Sequence, residues 1–218
     1  MMQISITDLR ALDGDVQQVA VHVLILSESG QRDTRVYYLL PHQYAELRLR
    51  VGAIDPETVD ALEAAARLCD AIRRGLTLLS YGAQSERTLC RKLQMRGIAA
   101  DTAAEAAAYL KRLGLMDEHA DASRIVAACR RKRWGMRRIL SHLFEKGYPE
   151  AVIRSTEQEL EGEDFVPDCM ALIRTKYHSV PEDRQQRQKM TAALMRYGYS
   201  LSEIRRAMET VAREDAED

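Results

Sequence analysis

Three times in this chain a leucine stands four residues before a glycine, and each time a large apolar residue follows the glycine. The segments are Leu93-Gln-Met-Arg-Gly97-Ile98, Leu143-Phe-Glu-Lys-Gly147-Tyr148 and Leu194-Met-Arg-Tyr-Gly198-Tyr199, at intervals of 50 and 51 residues. A glycine just past a helix end takes the left-handed conformation that closes the last turn, and the apolar residue after it folds back onto the helix. Each segment therefore predicts a helix end followed by a tight turn. Its recurrence makes the second half of the chain a repeat array.

The surroundings of each glycine carry the same period. Leu89, Ile139 and Met190 lie four residues before the three leucines, which is the spacing of a buried helix stripe. A second helical pattern follows each glycine, with Ile153 and Ile204 in register and with Leu110, Leu160 and Val211 at its far end. A further helix precedes each unit, over about 56–79, 117–133 and 168–177. The unit is thus three helices, and because one unit buries only part of its apolar face, stacked neighbours complete the core. The expected architecture is mainly α: three tandem three-helix repeats over 56–114, 115–162 and 163–213, forming an elongated curved array, with an acidic tail over 214–218.

Residues 1–55 read differently. Val16 to Leu26 and Arg32 to Leu40 are rich in β-branched and aromatic residues and flank Ser27-Glu-Ser-Gly30, which predicts a β-hairpin, with Ile4 and Ile6 as a third strand. Pro41 to Leu49 suggests a short helix closed near Gly52. Asp55-Pro56-Glu57 is a helix start, an N-cap carboxylate followed by proline at the first helical position. The whole N-terminal segment is expected to be a small cap on the helical array.

No apolar run approaches the roughly 20 residues that span a bilayer, and the opening residues lack a secretory signal, so a cytoplasmic protein with no membrane association is expected. Cys69, Cys90, Cys129 and Cys169 lie 21, 39 and 40 residues apart, without the close pairing of a zinc site, and read as buried reduced thiols.

The net charge of −1 conceals a gradient. Residues 1–72 carry a net −5, residues 73–154 a net +9 and residues 155–218 again −5. A positive band between two negative ends attracts and orients a polyanion or an acidic protein surface. Its densest part is Arg130-Arg131-Lys132-Arg133-Trp134-Gly135-Met136-Arg137-Arg138. Part of such a run also serves the helix dipole, and four consecutive basic residues point around most of a helix. The positions that repeat say more: Arg87 corresponds to Arg137, and Arg96 to Lys146, both outside the leucine stripe, whereas the third unit has Gln188 and Tyr197 there.

Leu79-Ser-Tyr-Gly-Ala-Gln-Ser85-Glu-Arg-Thr-Leu89-Cys-Arg-Lys-Leu93-Gln-Met-Arg-Gly97 resembles the hallmark of the RecX regulators. Gly135-Met-Arg-Arg-Ile139-Leu-Ser-His-Leu143-Phe-Glu-Lys-Gly147 is similar to the family's second hallmark, and Leu115-Met-Asp117-Glu-His-Ala120 to its acidic start of the second unit. The resemblance covers roughly residues 66–211. It implies a curved array of three-helix repeats that binds the RecA nucleoprotein filament, lies along its groove on single-stranded DNA, and restrains its ATPase and strand-exchange activity. The implied partners are RecA and single-stranded DNA, the latter contacted directly or through RecA, and the protein acts as a monomer. The basic residues offered to that partner are Arg87, Arg91, Lys92, Arg96, Arg130, Arg131, Arg133, Arg137, Arg138 and Lys146. Tyr197 replaces the basic residue before the third glycine, which puts that unit's positive contribution in question.

Other chemistries find little footing. Asp117-Glu-His119-Ala-Asp121 collects metal-friendly side chains, but at a helix start acidic residues cap the chain and favour its dipole. No metal or cofactor site is expected, and no nucleophile-and-base spacing argues for an enzyme. Trp134 reads as a packing residue, with stacking on an exposed base as the alternative. Tyr148 and Tyr199 read as structural. Successive short helices joined by tight turns also describe a helix-turn-helix transcription regulator, the competing function, which calls for a recognition helix and usually a dimer.

Overall fold

The computed structural model describes residues 3–13 and 17–217. The expected strand start at Val16 and the last residue of the acidic tail, Asp218, lie outside the described residues. The chain forms two compact units that divide after Met116.

The first unit opens with three antiparallel strands, β1 (Gln3–Leu12), β2 (Gln18–Leu26) and β3 (Arg32–Leu39). Ser27 closes the β2–β3 turn: its hydroxyl accepts from the Gln31 amide at 3.0 Å while Gly30 takes φ 79°. Alternation sets the buried face, as Ile4, Ile6, Val21, Val23, Tyr37 and Leu39 are buried while Ser5, His22 and Tyr38 between them are not. The short helix α1 (Pro41–Leu47) ends earlier than expected, because Arg48 itself adopts the left-handed conformation at φ 48°. Gly52–Ala53 is thereby released to form β4, which pairs with β1 and gives the sheet order β3-β2-β1-β4. Local propensity favoured a longer helix here; backbone pairing to Ser5 and Ile6 prevailed.

Helix α2 (Pro56–Ser80) begins as its sequence requires, with Asp55 Oδ1 accepting from the Thr58 amide at 2.6 Å and Pro56 in the first turn. That backbone hydrogen bond holds the Asp55 carboxyl below its ordinary value. Val59 and Leu62 join the core under the sheet. The later half of α2 packs with α3 (Glu86–Gln94) and α4 (Ala100–Arg112) around Leu78, Leu89, Leu93 and Leu110. The α2–α4 approach is close: a Cβ on Gly75 would meet Leu110 Cδ1 at 2.6 Å. Alanines 103, 106 and 107, all fully buried, keep the α4 side thin enough for it.

Among its described residues the second unit holds six helices: α5 (Glu118–Arg131), α6 (Met136–Glu145), α7 (Glu150–Glu161), α8 (Val166–Tyr177), α9 (Arg184–Arg196) and α10 (Leu201–Glu217). Its main core draws on both three-helix repeats, with Cys129 and Ile139 from the first and Cys169, Ile173, Leu194, Ile204 and Val211 from the second. Neither repeat could enclose that cluster alone. A smaller core of Ala122, Leu143, Tyr148 and Val152 lies within α5–α7. The acidic stretch after Arg213 continues α10 as helix through Glu217.

The recurring turn has the expected geometry. Gly97, Gly147 and Gly198 take φ 83°, 77° and 97°, and the amides of Ile98, Tyr148 and Tyr199 reach back to the carbonyls of Leu93, Leu143 and Leu194 at 3.2, 3.1 and 3.3 Å. The same closure occurs twice more. Leu115 N bonds Leu110 O at 3.1 Å around Gly114, a leucine–glycine pair at the same spacing. Trp134 N bonds Cys129 O at 3.1 Å around Arg133, which holds φ 56° without being glycine. The leucine stripe and its partners Leu89, Ile139 and Met190 are all buried.

Candidate functional site

The ten basic side chains of the candidate surface fall into two groups, one in each unit. In the first unit Arg87 and Arg91 stand on the exposed side of α3, four residues apart and so on one stripe, which Met95 continues at 76% exposure. Lys92 turns partly inward, its Nζ donating to Gln84 Oε1 at 2.8 Å. Arg96 sits exposed in the cap turn, and its carbonyl accepts from Arg74 Nη1 at 3.1 Å. The stripe is outward because Leu89 and Leu93 define the opposite, buried face of a short helix.

In the second unit the basic run divides by role. Arg130 pairs with Glu163 Oε2 at 2.8 Å and Asp168 Oδ2 at 2.9 Å, and its guanidinium lies 4.2 Å from the Phe165 ring centroid. The approach to Asp168 is an ion pair whose angles leave that oxygen, buried, without a hydrogen bond. Arg133 Nη1 donates to Ala171 O at 2.9 Å and Thr175 Oγ1 at 2.5 Å, while its carbonyl accepts from the Tyr199 hydroxyl at 2.8 Å. These two arginines tie the end of α5 to α8 and are spent on the unit's own structure. Arg131 and Arg137 are exposed, as is Lys146 in the cap turn. Among the described residues Arg87, Arg91, Arg131, Arg137 and Arg138 have no carboxylate within ion-pair distance.

Arg138 is half-buried between two rings, its guanidinium carbon 4.0 Å from the Trp134 centroid and 5.1 Å from that of Tyr197. Lys132 Nζ lies 5.4 Å from the Trp134 ring and Lys176 Nζ 4.5 Å from the Tyr197 ring. Lys176 also donates to the Tyr197 hydroxyl. His142 meets Trp134 edge-on at 5.3 Å between centroids. Burial first, then Lys146, Lys132 and Arg138, hold the His142 imidazole below its ordinary pKa, with Glu145 opposing them. Trp134 is thus a packing residue that also orders cations. Tyr197, which the sequence comparison with the other repeats marked as a loss of charge, supplies a π face that holds two.

Backbone geometry brings these groups together. Gly135 N donates to Tyr197 O at 2.8 Å and Arg137 N to Gly198 O at 3.2 Å, so the closing turn of α9 supplies acceptors for the first amides of α6. A Cβ on Gly135 would meet Gly198 C and O at 2.5 Å. Sequence reasoning had no means to find Lys176 or to assign Tyr197 this role, because their separation from Arg138 has no helical or strand period. Lys132 was visible in the run and His142 in the motif after it, but neither had a partner until the turn closed.

The remaining sequence candidates are local structure. Asp117 Oδ1 accepts from the amides of His119 and Ala120 at 3.1 and 3.0 Å, capping α5, and Asp121 is buried with Arg124 donating to it. Cys69, Cys129 and Cys169 are buried free thiols and Cys90 is half-buried; desolvation pushes Cys169 up to about 12. No described helix is long and apolar enough to cross a membrane.

Comparison with known proteins agrees with the helical-repeat fold. Residues 168–208 match the family model described as RecX, third three-helix domain. Regulatory protein RecX of Xanthomonas campestris pv. campestris is 30% identical over 137 residues, which cover 62% of this chain and 84% of that protein. The regulatory protein RecX of Chlorobaculum tepidum is 28% identical over 148 residues, covering 67% of this chain and 91% of that protein. In fold, the chain is similar to a crystal structure of regulatory protein RecX, with a TM-score of 0.74 at 20% identity over 94% of this chain and 99% of that one. A RecX crystal structure from Lactobacillus salivarius gives 0.58 at 20% identity over 67% of this chain and 97% of that one.

Proposed function

This chain belongs to the RecX family, and from that membership we propose that it regulates the RecA recombinase by binding the RecA filament on single-stranded DNA and restraining its ATPase and strand exchange. The observation that carries this reading is the outward basic stripe. Arg87 and Arg137, equivalent positions on α3 and α6, are both exposed, and neither has a carboxylate partner among the described residues. A solvated surface kept only for solubility intersperses both signs. Here the cations recur at one position of the repeat unit, as a partner with its own repeat requires. In the first unit Arg91 and Arg96 add exposed charge and Lys92 turns partly inward; in the second Arg131, Arg138 and Lys146 add charge, and Arg130 and Arg133 are spent on the unit's own structure.

Contacts of this kind supply orientation and encounter rate, and those to phosphate make binding fall with salt. A protein laid across neighbouring protomers hinders the movements that accompany ATP turnover. The test is the single-stranded-DNA-dependent ATPase of RecA, titrated with this protein at two salt concentrations. Inhibition below one copy per RecA protomer, weaker at the higher salt, is expected. Unaltered ATPase with a fully folded protein overturns the reading and favours a sequence-specific DNA-binding regulator.

A further inference from the structure

We propose that Lys132, Arg138 and Lys176, held around the Trp134 and Tyr197 rings, form a binding site for a phosphate group of single-stranded nucleic acid. The five residues come from five places: the end of α5, the turn after it, the first turn of α6, the last turn of α8 and the end of α9. Each ring is shared by two cations, with Arg138 common to both. Neighbouring charges therefore lie within about one Debye length, on the order of 10 Å, and feel one another. Among the described residues none of the three has a carboxylate in ion-pair distance; Glu145 lies 3.9 Å from His142. The rings offset the repulsion in part through their negative faces. They leave the net positive charge uncompensated, and, after burial and Lys146, both Lys132 and Arg138 help to hold the His142 imidazole below its ordinary pKa.

Ligand class follows from the kind and number of the donors. A carboxylate is planar and is satisfied by one bidentate arginine fork. Here a guanidinium and two ammonium groups approach from separate elements, which suits the tetrahedral oxygens of a phosphodiester. The rings are already occupied by cations and by the His142 edge, so they position the charges and do not stack a base. The third repeat, which lacks the outward arginine of the other two, joins the anion-facing surface through Lys176 and Tyr197. The site rests on the reading of the basic face as anion-binding and names what one part of that face contacts.

Trp134 is the chain's single tryptophan, so the site contains its own reporter. The experiment is a titration of the full chain with single-stranded oligothymidylate, without RecA, followed by tryptophan fluorescence at several salt concentrations. The expected result is a saturable change that weakens with salt. Lys176→Gln and Lys132→Gln, each confirmed as folded by circular dichroism, should weaken binding by about tenfold and lower the salt slope by about one. A purely structural lysine would leave that slope unchanged. Wild-type affinity and slope in both folded variants overturn the site. Tighter binding of polyglutamate than of the oligonucleotide overturns the phosphate assignment in favour of an acidic protein, and equal affinity for inorganic phosphate overturns the nucleic-acid source. Because RecA is absent, failure here leaves the ATPase reading standing, and ATPase inhibition does not rescue the site.

Discussion

Gly135 and Gly198 meet backbone to backbone, so closely that a methyl group on the first would lie 2.5 Å from the carbonyl carbon of the second. Through this contact the closing turn of α9 caps the start of α6, with Tyr197 O and Gly198 O receiving the amides of Gly135 and Arg137. One contact thus satisfies two helix ends and brings Tyr197 against Arg138. Gly135→Ala forces the two turns apart and should cost about 1–3 kcal/mol, the range of overpacking. Urea unfolding of the full chain measures the loss. The same variant should change Trp134 fluorescence before unfolding begins, since that ring lies beside the displaced turn.

Arg133 does in the α5 turn what glycine does in the others, at φ 56°. A left-handed non-glycine residue costs about 1–2 kcal/mol, and here the side chain's bonds to Ala171 O and Thr175 offset it. Arg133→Ala keeps the strain and loses the bonds, whereas Arg133→Gly loses the bonds and relieves the strain. The alanine variant should be less stable than the glycine variant by about 1 kcal/mol. Equal stability of the two would show that the backbone angle is not under strain.

His142 should titrate below the model-peptide value of about 6.5. With its folded pKa depressed, the folded state binds fewer protons than the unfolded one near that pH, so stability rises with pH there. Acidification through the unfolded pKa and down to the folded one should progressively destabilise the second unit. Above the unfolded pKa the contribution vanishes. The imidazole titration, followed by NMR, gives the midpoint directly, and Lys132→Gln should move it upward.

The double charge reversal Arg87→Glu with Arg137→Glu removes two exposed, unpaired cations, so stability should change by less than about 0.5 kcal/mol per site. Inhibition of RecA ATPase should weaken severalfold, and more at low salt than at high. A folded double variant that inhibits as well as the original protein would place the contact elsewhere.

The three leucine–glycine turns were legible because their chemistry is local: the residues that close each turn lie within six positions of one another. Leu110–Gly114 carried the same signal at the end of α4, and the pattern could have been extended to it. The Arg133 turn was not legible, since no local rule selects arginine for a left-handed position; bonds to α8 some 40 residues away do. The short helix after Pro41 was overextended for a related reason, with β4 formed by pairing to β1 and not by its own two residues.

Helix order, the buried leucine stripe and the outward placement of Arg87 and Arg137 follow from the sequence by itself, because helical period and turn closure act over a few residues. Which basic side chains remain open was decided only by the tertiary structure. Arg130, Arg133 and Arg137 look alike in a run of cations. Two of them are drawn inward by carboxylate, carbonyl and hydroxyl acceptors on α8 and the segment before it, and the third is left exposed. Charge acts through space over several ångströms without regard to chain separation, so the partner that satisfies an arginine is known only once the fold has brought it there.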